Sequence, residues 1–408
     1  MIITVPGDKS ISHRAIIFAA ISDRVVTIEN LNIGEDVKCT LNAFREMGVL
    51  IETGSTETTM IIHGVGLHGL QSPKNPINCG NSGTTMRLLT GLLCAQSFNS
   101  ILVGDNSLSK RPMARVAEPL RQMGAEMWLS EKNTAPIQIL GNKKLRGIQY
   151  ELPVMSAQVK SAILLASLYA AGETRIHETT STRDHTERLL STFAYGSARA
   201  SKKEACIMIP GDISSAAFFI VLTAITPHAA ITIRDVGVNP YRTGIIDILK
   251  LMGANITLHN QRFFNHEPVA DIHVQYTPLH GITIPEKTVV AAIDEFPIVF
   301  IAAALARGKT ILRHASELRV KESDRIHAMV INLKKLGVTV EEYEDGVMIE
   351  GCEAFTDASL DAYDDHRVAM ALHVAATRAK GKVFVGSDAN INTSYPEFLE
   401  QLRTVSDS

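Results

Sequence analysis

Two kinds of apolar segment alternate along this chain. The first is amphipathic and ends on an aliphatic–Gly–aliphatic corner that runs into alternating apolar and polar residues. LNAFREMGVLIE turns at Gly48, LRQMGAEMW at Gly124, LKLMGANIT at Gly253 and LKKLGVTVE at Gly337, with a weaker copy, LLSTFAYGSA, at Gly196. Glycine suits the left-handed residue that closes a helix, where a Cβ would clash. Each phrase therefore predicts helix, glycine cap, strand. The second kind comprises SHRAIIFAAI, SGTTMRLLTGLL, SAQVKSAILLASL, SSAAFFIVLTAI and EFPIVFIAAALA. These are apolar on nearly all sides, which predicts helices buried inside a domain. Each opens at a Ser, Asn or Asp, the residues that cap helix N-termini.

The corners recur about every 60–85 residues, too long for a helical solenoid and suited to a small α/β subdomain. The pattern reads as α/β, with six βαβαββ-like units, three in each of two domains. A repeated phrase marks the crossovers. Pro6-Gly7-Asp8 and Pro210-Gly211-Asp212 each carry a Ser two residues after the Asp (Ser10, Ser214), but the second copy lacks the cations of the first. The first domain is expected over 9–209 and the second over 1–8 plus 210–408, with crossovers near 8 and 210. The third unit of the first domain looks abbreviated. Either a strand pair is lost near GSARASKKEAC or residues are missing from the sequence there.

Composition narrows the function. With 408 residues, 45% hydrophobic and 20% charged, the chain has the make-up of a globular protein of two domains. A net charge of −3 excludes a general attraction to nucleic acid or membrane, so any basic site is local. Cys39, Cys79, Cys94, Cys206 and Cys352 are scattered without CxxC spacing and read as reduced thiols, with neither a disulfide frame nor a zinc site. No apolar run reaches membrane-span length and the N-terminus lacks a signal-peptide pattern, so a cytoplasmic location is expected.

Cations gather at the mouths of the apolar helices. Free N–H groups and the positive dipole end make such mouths anion sites. Lys9, Ser10, His13 and Arg14 open the first helix. NSGTTMR spans Asn81 to Arg87; MSAQVKS holds Ser156, Gln158 and Lys160. KRPM holds Lys110 and Arg111, STRDHTER holds Arg183, LRVKESDR holds Arg319, Lys321, Glu322 and Arg325, and DDHR holds Asp364 to Arg367. Each has a plainer reading. The serines serve as caps, KESDR as a solvated first helical turn with i,i+3 and i,i+4 pairs, Asp365-His366-Arg367 as a structural network, and Asp294 as a helix cap. The recurrence of Arg and Lys at helix mouths in both halves favours recognition of carboxylate and phosphate groups.

Several of these strings, PGDKSISHRA, NSGTTMRLL, RPM, SAQVKSAILLA, RVKESDRI and DDHRVAMAL, resemble those of the 5-enolpyruvylshikimate-3-phosphate synthase (EPSP synthase) family, in order and over essentially the whole length. The resemblance implies the enolpyruvyl transferase fold, a two-domain, inside-out α/β barrel-like architecture. It implies transfer of the enolpyruvyl group of phosphoenolpyruvate to the 5-hydroxyl of shikimate 3-phosphate, with release of phosphate, in aromatic amino-acid biosynthesis. Lys9, Asn81, Gly83, Arg111, Gln158, Arg325 and Arg367 would then hold phosphoenolpyruvate. Lys9, Ser10, Arg14, Ser156, Ala157, Gln158, Arg183, Asp294 and Lys321 would hold shikimate 3-phosphate. Asp294, Glu322 and Lys9 would move the protons, Asp294 as the base. The family implies no metal or organic cofactor, a monomer, and glyphosate as inhibitor. Groups split between two domains imply that closure completes the site.

Some positions depart from the family pattern. His13 stands where many members have Asn. Ala157 replaces a second Ser of one branch, and Thr393 replaces a lysine of that branch. These agree with the branch that includes forms less sensitive to glyphosate, whereas Gly83 predicts at least partial sensitivity. The rivals are UDP-N-acetylglucosamine enolpyruvyl transferase, whose mobile-loop Cys has no counterpart in GDNSLSKRPMARV, the more basic RNA 3′-phosphate cyclases, and a non-catalytic anion-binding relative.

Overall fold

Gly48, Gly124, Gly253 and Gly337 all sit at positive φ, between 83° and 102°, each directly between a helix and a strand. Residues 1–141, 144–193, 204–386 and 388–407 are described in this computed structural model. The Gly196 corner and the stretch expected to be abbreviated, residues 194–203, lie outside the described residues. The chain divides into two units: a first lobe of Lys9–Ile209 with Phe264–His266, and a second of Met1–Asp8, Pro210–Phe263 and Glu267–Ser408.

The first lobe carries helices α1 (Lys9–Ala20), α2 (Glu35–Glu46), α3 (Gly83–Leu93), α4 (Ala114–Gln122), α5 (Ala157–Ser167) and α6 (His185–Phe193). One sheet has the order Glu204–Met208, Val25–Glu29, Met60–His63, Leu50–Thr53, and a second Ile77–Asn78, Ser100–Val103, Ile137–Leu140, Glu126–Trp128. In each, the first pair is parallel and the rest antiparallel. Gln149–Glu151 and Arg175–His177 form a separate parallel pair. Helices α1, α3 and α5 bury their apolar residues in one core. Helices α3 and α5 meet backbone to backbone: a Cβ on Gly91 would lie 2.2 Å from the Ala162 carbonyl oxygen. Only glycine permits that approach.

The second lobe carries α7 (Ile213–Ile225), α8 (Gly244–Leu251), the one-turn α9 (Glu286–Val289), α10 (Phe296–Ala304), α11 (Arg325–Lys335), α12 (His366–Ala376) and α13 (Phe398–Ser406). Ile2–Ile3 pairs in parallel with Ala230–Gly237, which continues antiparallel into Glu267–Gln275 and then Asn255–Phe264. Lys309–Leu312, Gly346–Glu350 and Thr339–Tyr343 form an antiparallel sheet, and Ala358–Asp361 pairs in parallel with Val383–Gly386. All thirteen residues of α7 and all nine of α10 are buried. Each large side chain among them contributes about 1.5–3 kcal/mol by leaving water. The apolar character on every side, read from the sequence, follows from this central position.

Expected caps form at three of these mouths, and Asp365, read from the sequence as part of a structural network, caps a fourth helix. Ser82 accepts from the Thr85 amide, Ser156 from Val159, Asp212 from Ser214, and Asp365 from Arg367 and Val368. Helix α10 differs. Its N-cap is Glu295, which makes no capping bond, so Asp294 does not cap that helix.

Candidate active site

In the first lobe the mouths of α1, α3 and α5 are tied together by side chains. Lys9, the first residue of α1, places Nζ 2.9 Å from Asp36 Oδ2 in the first turn of α2, and both side chains stay slightly exposed. Arg14, one turn further in, is buried. It donates to Thr186 Oγ1 (2.8 Å), Ser161 Oγ (2.7 Å) and the Ser10 carbonyl (2.9 Å), binding α1 to α5 and α6. At α3, Arg111 clasps Asn81, with Nη2 2.5 Å from the side-chain oxygen and Nη1 3.2 Å from the carbonyl, while Asn81 donates to Asp105. Gly83 lies beside two guanidiniums. A Cβ there would stand 2.8 Å from Arg87 Nη1 and 3.2 Å from Arg111 Nη1. Arg87 also donates to Gln158 Oε1 (2.7 Å), and Gln158 donates to Thr84 (2.9 Å). Arg87 therefore orients Gln158, a function the sequence reading did not assign. Its position four residues after Gly83, on the same helix face, was the available signal.

A buried hydroxyl chain backs this arrangement. His13 Nδ1 shares a 2.7 Å hydrogen bond with Thr40 Oγ1; Thr40 meets Thr85 at 2.7 Å, and Thr85 donates to the cap oxygen of Ser82 at 2.7 Å. Burial first, and then the charges of Lys9 and Arg14, push the His13 imidazole well below its ordinary value, so it is neutral. Some cations at these mouths are committed to protein carboxylates or to the surface. Lys160 is buried between Glu178 (3.0 Å) and Glu187 (2.8 Å), and Lys110 is exposed. Arg183 is partly exposed just ahead of α6.

The second lobe brings together three motifs that are far apart in sequence. Arg325 at the start of α11 is 1% exposed. It donates through Nε to Asp365 Oδ2 (2.8 Å) and through Nη2 to Glu322 Oε2 (2.6 Å), and its Nη1 lies 3.6 Å from Asp294 Oδ1. Burial opposes the Arg325 charge, but the carboxylates of Asp365, Glu322 and Asp294 outweigh it and hold the guanidinium more firmly protonated than usual. The solvated reading of KESDR is thus overturned, because its i,i+3 pair closes inside the lobe. Asp365 does double duty, capping α12 while fixing Arg325. Asp294 Oδ1 also lies 3.4 Å from Lys321 Nζ, and the Asp294 carbonyl accepts from Arg367 Nη1 at 3.0 Å. Arg319 is taken up by Asp324 (2.7 Å) and Glu342 (3.0 Å). Thr393 spends its hydroxyl on the Asn390 carbonyl.

A carboxylate edged by two cations, beside a second carboxylate and a guanidinium with N–H groups to spare, is equipped to take a proton and to hold an anion. The five cysteines are all free. Burial pushes the thiols of Cys39 up to about 11 and Cys94 up to about 12, which leaves them poor nucleophiles. Among the described residues no helix is long and apolar enough to cross a membrane.

The family model of EPSP synthase (3-phosphoshikimate 1-carboxyvinyltransferase) matches residues 1–402. The 3-phosphoshikimate 1-carboxyvinyltransferase of Legionella pneumophila (strain Lens) is 53% identical over 407 residues, 97% of this chain and 93% of that protein. The protein of the same name from Coxiella burnetii (strain RSA 493 / Nine Mile phase I) is 50% identical over 98% of this chain and 93% of its own. The solved EPSP synthase of Acinetobacter baumannii superposes with a TM-score of 0.86 at 48% identity, covering 99% of this chain and 95% of that one. The enolpyruvyl transferase NikO of Streptomyces tendae shares the fold, with a TM-score of 0.77 at 15% identity over 99% of this chain and 94% of its own. A match along nearly the whole length, at half identity, fixes the lineage: the chain belongs to the EPSP synthase family, the 3-phosphoshikimate 1-carboxyvinyltransferases.

Proposed function

We infer that this transferase moves the enolpyruvyl group of phosphoenolpyruvate onto the 5-hydroxyl of shikimate 3-phosphate and releases phosphate. The observation that carries the site reading is the meeting of IDEF, RVKESDR and DDHR around Asp294, with Lys321 and Arg325 at its carboxylate and Arg367 at its carbonyl. Asp294 takes the proton of the 5-hydroxyl as its oxygen attacks C2 of phosphoenolpyruvate. Glu322, with Lys9, delivers a proton to C3, giving a tetrahedral ketal. Loss of a proton from the new methyl group and departure of phosphate then complete the exchange. Lys9, Arg111, Arg325 and Arg367 oppose the charge of phosphoenolpyruvate and of the leaving phosphate, with Asn81, Gly83 and Gln158 completing that set. Ser10, Arg14, Ser156, Ala157, Gln158, Arg183 and Lys321 hold shikimate 3-phosphate, together with Lys9 and Asp294.

A phosphate-release assay with both substrates tests this. Turnover is expected, with none on UDP-N-acetylglucosamine; binding without turnover would mark a non-catalytic relative instead. Glyphosate competes for the phosphoenolpyruvate groups and inhibits at least partially. Gly83→Ala weakens that inhibition, because the new methyl pushes on the Arg87 and Arg111 guanidiniums. The same reading has the protein acting as a monomer in the cytoplasm.

A further inference from the structure

The second PGD phrase lacks the cation that follows the first, and the structure supplies one from elsewhere. Arg242, thirty residues downstream, is buried against that phrase. Its Nη2 donates to Ser214 Oγ (2.6 Å) and to Asp212 Oδ1 (3.4 Å). Ser214 in turn donates its hydroxyl to Glu295 Oε1. The same Glu295 oxygen lies 3.6 Å from Arg242 Nη2 and 3.4 Å from Arg367 Nη1. Glu295 is 2% exposed, and its Oε2 has no hydrogen-bond partner among the described residues. One carboxylate oxygen thus accepts from Ser214 and Arg367 and lies in ion-pair range of Arg242, and Arg367 is a residue read above as a phosphoenolpyruvate ligand.

Arg367 depends on this arrangement more than Arg242 does. Arg242 keeps Asp212 if Glu295 is removed. For Arg367, Glu295 is the only carboxylate within 4 Å among the described residues. Both side-chain bonds of Arg367 fall on Nη1, to the Asp294 carbonyl and to Glu295, while Nε and Nη2 make none among the described residues. With Nη1 pinned, Nε and Nη2 are the edge that could make the paired bonds of bidentate anion recognition.

We propose that Glu295 is a positioning residue for phosphoenolpyruvate, acting through Arg367, and that Arg242, Asp212 and Ser214 hold Glu295 in place. This rests on the assignment of Arg367 to phosphoenolpyruvate. Charge alone makes the opposite forecast. Deleting a carboxylate beside an anion-binding guanidinium should strengthen anion binding, whereas loss of positioning weakens it.

The test is a double-mutant cycle on the full chain, with steady-state kinetics and calorimetric binding of shikimate 3-phosphate. Glu295→Ala is expected to raise KM for phosphoenolpyruvate about tenfold or more, with kcat within about threefold and shikimate 3-phosphate affinity within about twofold. Glu295→Gln, which keeps the acceptor oxygen, should recover part of that loss and serves as the cycle's variant if Glu295→Ala does not fold. On an Arg367→Ala background either change should add less than about twofold. A lower or unchanged KM in Glu295→Gln, an equal effect on both backgrounds, or a parallel fall in kcat and in the affinity for both substrates overturns the proposal while leaving the Arg367 assignment standing. If Arg367→Ala itself leaves KM for phosphoenolpyruvate unchanged, that assignment fails and the proposal fails with it.

Discussion

The mouths of α1 and α7 open on the same phrase and use charge in opposite ways. At α1 the cation stands on the helix itself, and Asp36 comes from the next helix to meet Lys9. At α7 the phrase contributes the carboxylate, Asp212, and Arg242 comes from the loop ahead of α8. Lys9 keeps 12% of its side chain exposed, whereas Arg242 keeps 3%. The first mouth is backed by neutral hydroxyls running from His13 to Ser82, the second by a buried ionic chain ending at Arg367. A repeated backbone frame therefore need not repeat its electrostatics: one copy keeps its cation partly exposed in a single ion pair and the other buries its cation in an ionic cluster.

The largest expected effect tests the second lobe as the source of the base. Asp294→Asn should lower kcat about 10²–10⁴-fold, measured under saturating substrates, with shikimate 3-phosphate still bound. Wild-type turnover would show that the base lies elsewhere. Next, Lys9→Met and Arg242→Met should part company. Arg242→Met removes the buried cation shared by Asp212 and Glu295 and should cost about 3–5 kcal/mol in urea unfolding. Lys9→Met should leave stability within about 1 kcal/mol, since its pair is partly solvated, while abolishing most turnover. Equal stability losses would erase the contrast.

A smaller effect separates the mouths by pH. His13 is neutral in the folded chain and has an ordinary value near 6.5 when unfolded. Its contribution is complete above that value and is lost as pH falls toward the depressed folded value, because the unfolded chain then binds the proton first. Stability should drop by up to about 1.4 kcal/mol per pH unit below about pH 6.5. His13→Asn should flatten that part of the profile in urea midpoints between pH 7.5 and 5. The smallest expected change is Ser82→Ala, about 1 kcal/mol of stability from a lost cap.

What could be read from the chain was local. The glycine corners and the serine and aspartate caps depend on residues within one turn, so Gly48, Gly124, Gly253 and Gly337 and the caps at Ser82 and Ser156 are legible in the sequence. The burial of Arg325 was not, because Asp365 lies forty residues away and turns an apparently solvated KESDR inward. Arg87, Arg242 and Glu295 were missed for the same reason. Their partners sit 71, 28 and 81 positions off, at Gln158 and, for the last two, at Ser214. Nor does spacing separate a cation facing a ligand from one such as Lys160, which the fold commits to Glu178 and Glu187.

The parallel pairing of Val25–Glu29 with Glu204–Met208 has a consequence for biosynthesis. The earlier strand can zip onto Met60–His63 as soon as both leave the ribosome, but its other border waits for a segment made about 180 residues later, roughly 10–35 s at ordinary elongation rates. During that interval a nascent chain carries an open, β-branched border, the kind of surface that recruits a neighbouring polysome product or a chaperone. Slowing translation within that stretch should therefore reduce soluble yield more than slowing it after residue 210.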